Sequence, residues 1–454
     1  MTAPAVEVCI VGLGPAGIGA ALSLSQTSLA PSVVCLEAGV APEVKFCSIL
    51  QNKGCRVVQP CQMVTGVGGS SLLSGGKISA YPAGKNMSSS IGSADETRSS
   101  LDHALRLFQT FVPLIRPNVS ADDQQAAATN FGNLGFDYRY YEAFLYHQHA
   151  LTDGYRKMVN VIRDSGIRVL LETPVLEISR HTVGFRIRTG RSDDSREILA
   201  KRVVLATGRF GADLVTSVGL TFNLGQETSH TDFGVRLEFP TSLWPDIDSC
   251  HNDLKLHFSG ARTFCVCKDG AIAPYRLGDR FLLEGTSDPD SSTGLTNLGI
   301  TIRHSSKSLK EHEALMDELR ANHFQISDGM PIRQRLADFL VGRPTPDSVA
   351  SEPASIVYWR WGSANQCLPK ITVPKVREAV EYFVSRSFPE TKYSNVYVFA
   401  PVLDYYWPRF PAEPGFASRA KGLYLVGDCL GHFRGILQAF CSGLVCSESI
   451  VKDC

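Results

Sequence analysis

The sequence predicts an α/β protein in which helices cover a parallel sheet, and three separated segments carry this prediction. The first is an apolar strand from Val8 to Val11 that runs into a glycine-rich turn and a helix. The second is an apolar strand at residues 203–208, and the third is a strand at residues 422–428 that precedes an apolar helix. Buried parallel strands are unbroken apolar runs, and short turns join them to helices. We therefore expect a three-layer Rossmann-like domain with a smaller, mostly β domain attached.

The N-terminal turn has the glycine spacing of a dinucleotide-binding site. Gly12 allows the tight turn, Gly14 allows the backbone to approach a pyrophosphate, and Gly17 allows the helix to pack closely on the strand. The helix N-terminus supplies free N–H groups and the positive end of a dipole. Glu37 follows the second strand, where a carboxylate accepts hydrogen bonds from ribose hydroxyls. The predicted contacts are Gly12, Gly14, Pro15, Ala16, Gly17, Glu37 and Ala38.

Two further segments favour FAD over NAD as the nucleotide. The first is Ala206-Thr207-Gly208, preceded by a strand that contains Val175, and the second is Gly427-Asp428, followed by a helix start at Gly435 and Ile436. This order resembles flavoproteins of the glutathione-reductase-like superfamily, in which the valine strand pairs with the adenine and the aspartate holds the ribityl chain. The helix N-terminus then stabilises negative charge on the reduced flavin. No His or Cys stands in an attachment motif, so we expect the FAD to be non-covalent.

A long loop that ends at Lys77 resembles a poorly characterised family of FAD-dependent dehydrogenases. Its sequence, Gly66-Val-Gly-Gly-Ser-Ser-Leu-Leu-Ser-Gly-Gly-Lys77, is similar to that family's GxGGAGxxSDGK loop. Four further segments of this chain resemble other motifs of that family, namely residues 232–238, 264–270, 334–339 and 425–436. The resemblance covers most of the chain and implies FAD contacts at Gly68, Gly69, Ser70 and Ser74. It also implies a flavin or substrate contact at Lys77, for which a solvated surface lysine is the alternative.

Departures from the family motifs fall where a substrate would meet the flavin. The family's loop aspartate is Gly75 or Gly76 here, and its tyrosine–alanine–glycine cap is replaced by His432-Phe433-Arg434. These changes predict a divergent member with its own substrate, in specialised metabolism. We expect Arg434 to place a cation beside the flavin or to bind an anionic substrate, and His432 to exchange protons near neutral pH. The alternative is that both side chains point to solvent. Lys77, His432 and Arg434 are the predicted catalytic residues.

The composition predicts a folded protein without a nucleic-acid or membrane partner. The chain has 454 residues, with 45 Lys and Arg against 45 Asp and Glu, so no net charge attracts polyanions. No basic leader precedes the first strand, and the 13 cysteines are scattered without a CxxC or zinc pattern. We therefore expect no metal, a cytoplasmic location and mostly free thiols.

Two pairs of cysteines have open interpretations. Cys265 and Cys267 lie two apart on a predicted strand, so both side chains face the same side. Two buried small hydrophobes are the favoured interpretation, and a thiol or redox role is the alternative. Cys55 and Cys61 flank a turn before the flavin loop, where a transient disulfide is the alternative to two free thiols.

The order of segments predicts a discontinuous FAD-binding domain at residues 1–95, 150–230 and 395–454, with a helical insertion at 96–149 and a substrate or cap domain at 231–394. The predicted reaction is a two-electron redox step on a small organic metabolite through FAD. A flavin-dependent monooxygenase or an ene-type reductase is the nearest alternative. A tRNA-modifying flavoprotein and a flavin-bound redox sensor are alternatives of other classes. No second GxGxxG marks a separate NAD(P)H domain, and NAD(P)H stays open as an external reductant.

Overall fold

Two large β-sheets carry the architecture of the computed structural model, which describes residues 5–190, 196–227, 230–244, 250–348, 352–411 and 413–454. The strands of these residues are β1 (Val6–Val11), β2 (Val33–Leu36), β3 (Lys77–Ser79), β4 (Asp137–Arg139), β5 (Ala143–Leu145), β6 (Arg168–Leu170), β7 (Val175–His181), β8 (Gly184–Thr189), β9 (Arg196–Leu205), β10 (His230–Pro240), β11 (Lys255–Phe258), β12 (Ala261–Cys267), β13 (Ala271–Leu277), β14 (Arg280–Thr286), β15 (Leu295–Ser305), β16 (Ile332–Arg335), β17 (Arg360–Trp361), β18 (Tyr397–Asp404) and β19 (Leu423–Leu425).

The helices pack against both large sheets and against one another. Those of the described residues are α1 (Pro15–Leu24), α2 (Ser88–Ile91), α3 (Ala94–Gln109), α4 (Ala121–Asn133), α5 (Gln148–Asp164), α6 (Ala212–Thr221), α7 (Leu309–Ser327), α8 (Leu336–Leu340), α9 (Ala364–Cys367), α10 (Val373–Ser387) and α11 (Ile436–Lys452). None of these helices combines the length and the apolar character that crossing a membrane requires.

The first sheet has the order β6–β2–β1–β9–β8–β7, with β19 also paired to β9. Strands β6, β2, β1, β9 and β19 run parallel, and β8 and β7 extend one edge as antiparallel strands. Val8 and Ile10 in β1 are fully buried, as expected for a central parallel strand. Helices α1 and α11 pack against each other, and Ser447 donates a hydrogen bond to the Ala20 carbonyl at 2.9 Å. This sheet confirms the predicted α/β class.

The second sheet has the order β17–β16–β18–β10–β15–β12–β11–β4 and is antiparallel except for the β16–β17 pair. Its longest pairing joins β10 to β15 from His230↔Ser305 to Pro240↔Leu295. Burial on both faces of such strands is hard to predict, because polar residues that alternate with apolar ones, among them Asp232, Arg236 and Glu238, normally indicate a solvent-facing side. Two-stranded sheets β13–β14 and β3–β5 complete the architecture of the described residues.

The expected domain boundaries stay a prediction, although two segments pair outside the units to which the sequence assigned them. Strand β18 lies within residues 395–454, yet it pairs with β10 and β16 in the second sheet. Strand β4 lies in the expected helical insertion, yet it pairs with β11 at the edge of the same sheet. Long-range pairing, which local patterns do not encode, draws both segments into the second sheet.

Candidate functional site

A cavity of about 1020 Å³ lies at the carboxyl ends of the parallel strands. The residues that follow β1, β2, β9 and β19 line one side of it, namely Gly12, Glu37, Ala206 and Val426. Residues of β12, β14 and β18 line another side, so the cavity lies between the two large sheets. Ligands of open α/β sheets bind in the crevice outside the carboxyl ends of the strands.

The structure brings nearly all of the predicted site residues to this cavity. Gly17 and Gly68 are the exceptions. A Cβ on Gly17 would lie 1.9 Å from the Gly12 carbonyl oxygen, and a Cβ on Gly68 would lie 2.8 Å from the Tyr155 ring, so both glycines serve packing. The predicted residues that line the cavity are Gly12, Gly14, Pro15, Ala16, Glu37, Ala38, Gly69, Ser70, Ser74, Lys77, Val175, Ala206, Thr207, Gly208, Gly427, Asp428, His432, Arg434, Gly435 and Ile436.

The first turn of α1 lines the cavity. Gly12 has a φ of 97°, which L side chains rarely adopt, and Gly14 is the N-cap without a side-chain hydrogen bond. Pro15 suits the first helical position because it has no N–H to leave unpaired. A Cβ on Gly14 would find only the Gly69 Cα, 3.8 Å away, so Gly14 borders open space. The free N–H groups of this helix end fit a pyrophosphate.

The carboxylate of Glu37 binds three backbone N–H groups. Its Oε2 accepts a hydrogen bond from Leu13 at 2.7 Å, and its Oε1 accepts from Gly39 at 2.8 Å and from Gly66 at 2.9 Å. The side chain is buried beside the cavity. A carboxylate offers about four lone-pair positions, so one is left for a ribose hydroxyl. Glu37 also ties the phosphate turn to the flavin loop, a role that the sequence did not indicate.

We expect Glu37→Gln to weaken FAD binding and to lower the free energy of unfolding by about 1–3 kcal/mol. The amide would turn its NH₂ group toward at least one of the backbone N–H donors and leave a buried donor unpaired. Urea unfolding of flavin-free protein and FAD titration of folded protein separate the two effects. Glu43→Gln, the same change at an exposed position, is the control. An unchanged affinity for FAD would show that Glu37 does not meet the ribose.

The turn after β19 and the start of α11 also line the cavity, and a Cβ on Gly427 would lie 2.9 Å from the Ala16 Cβ in the first turn of α1. Burial raises the pKa of the Asp428 carboxyl above its usual value. Gln438 also lines the cavity, and its Nε2 donates to the carbonyls of Ser79 at 2.9 Å and Ala83 at 3.0 Å. Its buried Oε1 has no hydrogen-bond partner among the residues described. An unpaired buried acceptor marks a place where a bound molecule would supply a donor.

A chain of ion pairs runs along the cavity wall. Arg209 contacts Glu284, Arg434 contacts Glu284 at 3.2 Å and Asp404 at 2.6 Å, and Arg262 contacts Asp404 at 3.2 Å. All five residues line the cavity. Burial alone would raise the pKa of Glu284, but the guanidinium groups of Arg209 and Arg434 hold it well below its usual value. Glu284 therefore stays ionised at neutral pH and fixes both arginines.

Arg434 is held by its protein partners. Its guanidinium bridges Asp404 and Glu284 and lies 4.9 Å from the centroid of the Phe264 ring. Burial alone would lower its pKa, but the two carboxylates raise it well above the usual value. The alternative in which Arg434 points to solvent is wrong, because only 19% of its side chain is exposed. A contact of Arg434 with flavin or substrate stays a prediction. In such a contact, the ligand would compete with the two carboxylates for the N–H groups of Arg434.

His432 is half-buried beside the cavity, so the solvent-facing alternative is wrong for it too. Its Nε2 lies 2.6 Å from the Phe410 carbonyl oxygen and 3.4 Å from the Arg409 Nε. Burial, followed by the Arg409 charge, lowers the pKa of the imidazole below its usual value. A neutral ring that donates from Nε2 to Phe410 leaves Nδ1 as the atom for proton exchange.

Lys77 is a buried lysine, so the solvated-surface alternative is wrong. Only 5% of its side chain is exposed. Its Nζ donates to the Val266 carbonyl and lies 3.5 Å from the Cys267 Sγ and 3.6 Å from an Asp253 carboxylate oxygen. Burial alone would lower its pKa, but the negative charge of the cysteine pair at Cys267 and Cys265 and that of Asp253 raise it above the usual value. Lys77 is therefore a fixed cation in the cavity wall, and its contact with flavin or substrate stays a prediction.

Most of the wall that the second sheet supplies could not be predicted from the sequence. Tyr141 donates to Asp253 at 2.7 Å, and the Lys255 Nζ lies 3.9 Å from the same carboxylate. These residues line the cavity together with Phe264 and Arg262. They come from β11, β12 and the segments before β5 and before β11, which long-range pairing brings together. The resemblance at residues 264–270 was the signal that pointed to this wall.

A group of two histidines and one aspartate outside the cavity bears on the expectation that the protein holds no metal. In the described part of the chain, one set of three potential metal ligands has its donor atoms within 4.8 Å of one another, namely His147, His149 and Asp290. Direct contacts of 2.8 and 3.1 Å between each imidazole and the carboxylate account for this arrangement.

Cys55 and Cys61 are free thiols in the structure, and a transient disulfide between them stays a prediction.

Comparisons with known proteins find only distant similarities to solved structures. No protein-family model and no curated protein matches the chain. The chain is similar to a flavoprotein/dehydrogenase from Cytophaga hutchinsonii, with 12% identity over 99% of this chain and 78% of that chain and a TM-score of 0.41. It is similar to glycine oxidase from Geobacillus kaustophilus, with 13% identity over 98% and 94% and a TM-score of 0.36. It is also similar to L-proline dehydrogenase from P. horikoshii, with 10% identity over 99% and 94% and a TM-score of 0.40. Similarities this distant carry no argument about function, so membership in the resembled family stays a prediction.

Proposed function

We propose that this chain is an FAD-dependent oxidoreductase that carries out a two-electron redox reaction on a small organic metabolite. The observation that carries the proposal is one cavity that joins three segments far apart in sequence. These are the turn at Gly12 and Gly14, the strand end at Ala206, and the turn at Gly427 and Asp428. Purely structural glycine turns would not need to share a cavity of this size.

The polar groups along the cavity fit the parts of FAD in order. The first turn of α1 offers N–H groups to the pyrophosphate, and Glu37 keeps one lone pair for a ribose hydroxyl. Val175 lines the cavity on the side where we expect the adenine. Asp428 would hold the ribityl hydroxyls, and the unpaired Gln438 Oε1 would accept from a ring N–H. The cavity volume of about 1020 Å³ is at the upper end of the range for ligand sites.

When bound, FAD supplies the two-electron chemistry. The residues of this chain bind it, orient it and set the charge around it. The N-terminus of α11 and the nearby Arg434 provide positive potential for negative charge that develops in the cavity. His432 can hold or release a proton at Nδ1. Lys77 is a fixed cation against which a polar substrate can be oriented.

The substrate in this proposal lies against the wall that the second sheet supplies. That wall carries Tyr141, Lys255 and Arg262 beside the apolar ring of Phe264. Polar and charged groups next to an aromatic ring suit a small polar metabolite. The replacement of the family cap by His432-Phe433-Arg434 supports a substrate of its own, which we place in specialised metabolism.

We expect the purified protein to carry FAD that heat denaturation releases, because no covalent attachment motif is present. Chromatography against FAD and FMN standards identifies the nucleotide. Anaerobic mixing with NADH, NADPH and a panel of small metabolites then identifies the reductant by the loss of visible flavin absorbance. Protein that is colourless and takes up no FAD on incubation would contradict the proposal. Release of FMN would contradict the assignment of the pyrophosphate and adenine segments.

A further inference from the structure

Cys265 and Cys267 lie close together because β12 is irregular where it pairs with β15. The pairing register shifts between Phe264 and Cys267, and Cys265 has a left-handed φ of 46°. In a regular strand, residues two apart are separated by about 6.7 Å. That is close to the upper limit of about 6.8 Å for the Cα atoms of a disulfide. In this irregular strand the two sulfur atoms are 3.8 Å apart, so a small movement would bring them to bonding distance.

Two buried cations stand beside this pair. The Lys77 Nζ lies 3.5 Å from the Cys267 Sγ. The Arg236 Nη1 donates to the Cys265 carbonyl at 3.0 Å and to Asn297 at 2.6 Å. The Nε and Nη2 of Arg236 are buried and have no hydrogen-bond partner among the described residues. A buried guanidinium with unpaired N–H groups is costly unless an anion forms next to it.

Gly285 on β14 makes room for this arrangement. A Cβ at Gly285 would lie 2.7 Å from the Arg236 Nη1 and 2.8 Å from the Cys267 Sγ. Any larger residue would therefore separate the guanidinium from the sulfur. The neighbouring carboxylate, Glu284, is already bound by Arg209 and Arg434. Two buried small hydrophobes would need neither the cations nor this glycine.

The charges around the pair favour one thiolate. The hydrogen bond from the Cys267 thiol, together with Lys77 and Arg236, lowers the pKa of Cys265 below its usual value despite burial. Burial and the neighbouring sulfur raise the pKa of Cys267 well above its usual value. These opposite shifts favour a thiolate at Cys265 over a thiolate at Cys267. A thiolate next to a thiol is the reactive form of a dithiol.

The two sulfurs differ in their access to the cavity. Cys265 is partly exposed and lines the cavity, whereas Cys267 is fully buried behind it. A molecule in the cavity would therefore meet Cys265 first. Cys267 is within reach to complete a disulfide.

We propose that Cys265 and Cys267 are a dithiol–disulfide couple that exchanges two electrons with the group bound in the cavity. Oxidation forms one S–S bond and releases two electrons and the proton of the Cys267 thiol. Reduction returns two electrons and restores the thiolate and thiol. The electron partners are a small-molecule disulfide, which leaves as two thiols, and the FAD. The exchange with FAD rests on the proposed function, whereas the couple itself stands on the geometry of the chain.

A single tryptic peptide reports the state of the couple. Cleavage after Arg262 and Lys268 releases Thr263–Lys268, which contains both cysteines and no others. The protein is equilibrated in glutathione buffers of increasing oxidising power, acid-quenched, alkylated and digested. We expect the peptide to change from the doubly alkylated form to an unalkylated form that is lighter by two hydrogens than the dithiol. A peptide that stays doubly alkylated in every buffer would overturn the couple.

Variants test separately whether the disulfide forms and whether it exchanges electrons with FAD. In Cys265→Ser the peptide should carry one alkyl group or one glutathione and never an internal disulfide, whereas the control Cys454→Ser, at an exposed cysteine, should behave like wild type. Anaerobic reductive titration of the FAD-loaded, preoxidised protein should take up twice as many electrons in wild type as in Cys265→Ser. Equal uptake would overturn the exchange with FAD. If the protein binds no FAD, the proposed function fails, while the peptide experiment still decides whether the couple exists.

Discussion

Gly14→Val is expected to abolish the retention of FAD while leaving the fold intact. The Gly14 Cα borders open cavity space, and an added Cβ would meet only the Gly69 Cα at 3.8 Å. A branched side chain therefore fits the apo protein but occupies the place of the pyrophosphate. Loss of two or more charge-assisted hydrogen bonds to helix N–H groups, each worth about 1.5–3 kcal/mol, weakens binding by at least about 100-fold. Flavin content after purification and an FAD titration measure this effect.

Gly132→Val is the matched control for this experiment. Gly132 lies at the end of α4, has no atom within 4 Å of an added Cβ, and does not line the cavity. Circular dichroism should be unchanged in both variants, and only Gly14→Val should lose the flavin. If Gly14→Val retained FAD with wild-type affinity, the pyrophosphate would lie elsewhere and the proposed cofactor track would be wrong.

The meeting of the segments proposed to bind the nucleotide could be predicted because the physical requirements of each turn are local. The tight turn at Gly12, the exposed helix end at Gly14 and the acidic residue after β2 each depend on a few neighbouring residues. The same holds for the turn at Gly427 and Asp428. The structure brings these segments together at one cavity, as their order along the chain predicted.

The charged wall of the cavity could not be predicted in the same way. Arg434 binds Asp404 and Glu284, which lie 30 and 150 residues away in sequence. Only the assembly of β14 and β18 next to the first sheet creates these contacts. Without the partners, the sequence left Arg434 either free for a ligand or exposed to solvent. The surroundings of Lys77 could not be predicted for the same reason. Its neighbour Cys267 comes from β12, and its neighbour Asp253 comes from the segment before β11.

Arg434→Ala is expected to lower the free energy of unfolding by about 3 kcal/mol and to slow flavin reduction. Removing one partner of a buried ion pair costs about 3–5 kcal/mol, since it leaves a buried charge uncompensated. The lower end applies here because Arg209 still binds Glu284 and Arg262 still binds Asp404. Reduction should slow because the cavity loses a fixed cation. Urea unfolding of flavin-free protein and anaerobic stopped-flow reduction of loaded protein measure the two effects.

The loss of stability should depend on pH in a defined direction. The pKa of Glu284 lies well below its usual value in the folded protein and returns to about 4.3 on unfolding. Its ion pairs therefore stabilise the fold fully above that value and lose their contribution as the pH falls toward the folded-state pKa. The stability difference between wild type and Arg434→Ala should be largest at neutral pH and should shrink below about pH 4.

Arg303→Ala is the control for Arg434→Ala. Arg303 also binds a buried carboxylate, Asp232, but half of its own side chain is exposed and Arg262 contacts the same carboxylate at 2.6 Å, so its removal should cost less than that of Arg434. It does not line the cavity and should leave flavin reduction unchanged. Suppose that Arg434→Ala were no more destabilising than Arg303→Ala and that its flavin were reduced at the wild-type rate. The ion pairs of Arg434 would then contribute no more than an exposed ion pair does to stability, and nothing to flavin reduction. The residue that orients the substrate would then have to be sought at Lys77, which carries the next buried cation along the same wall.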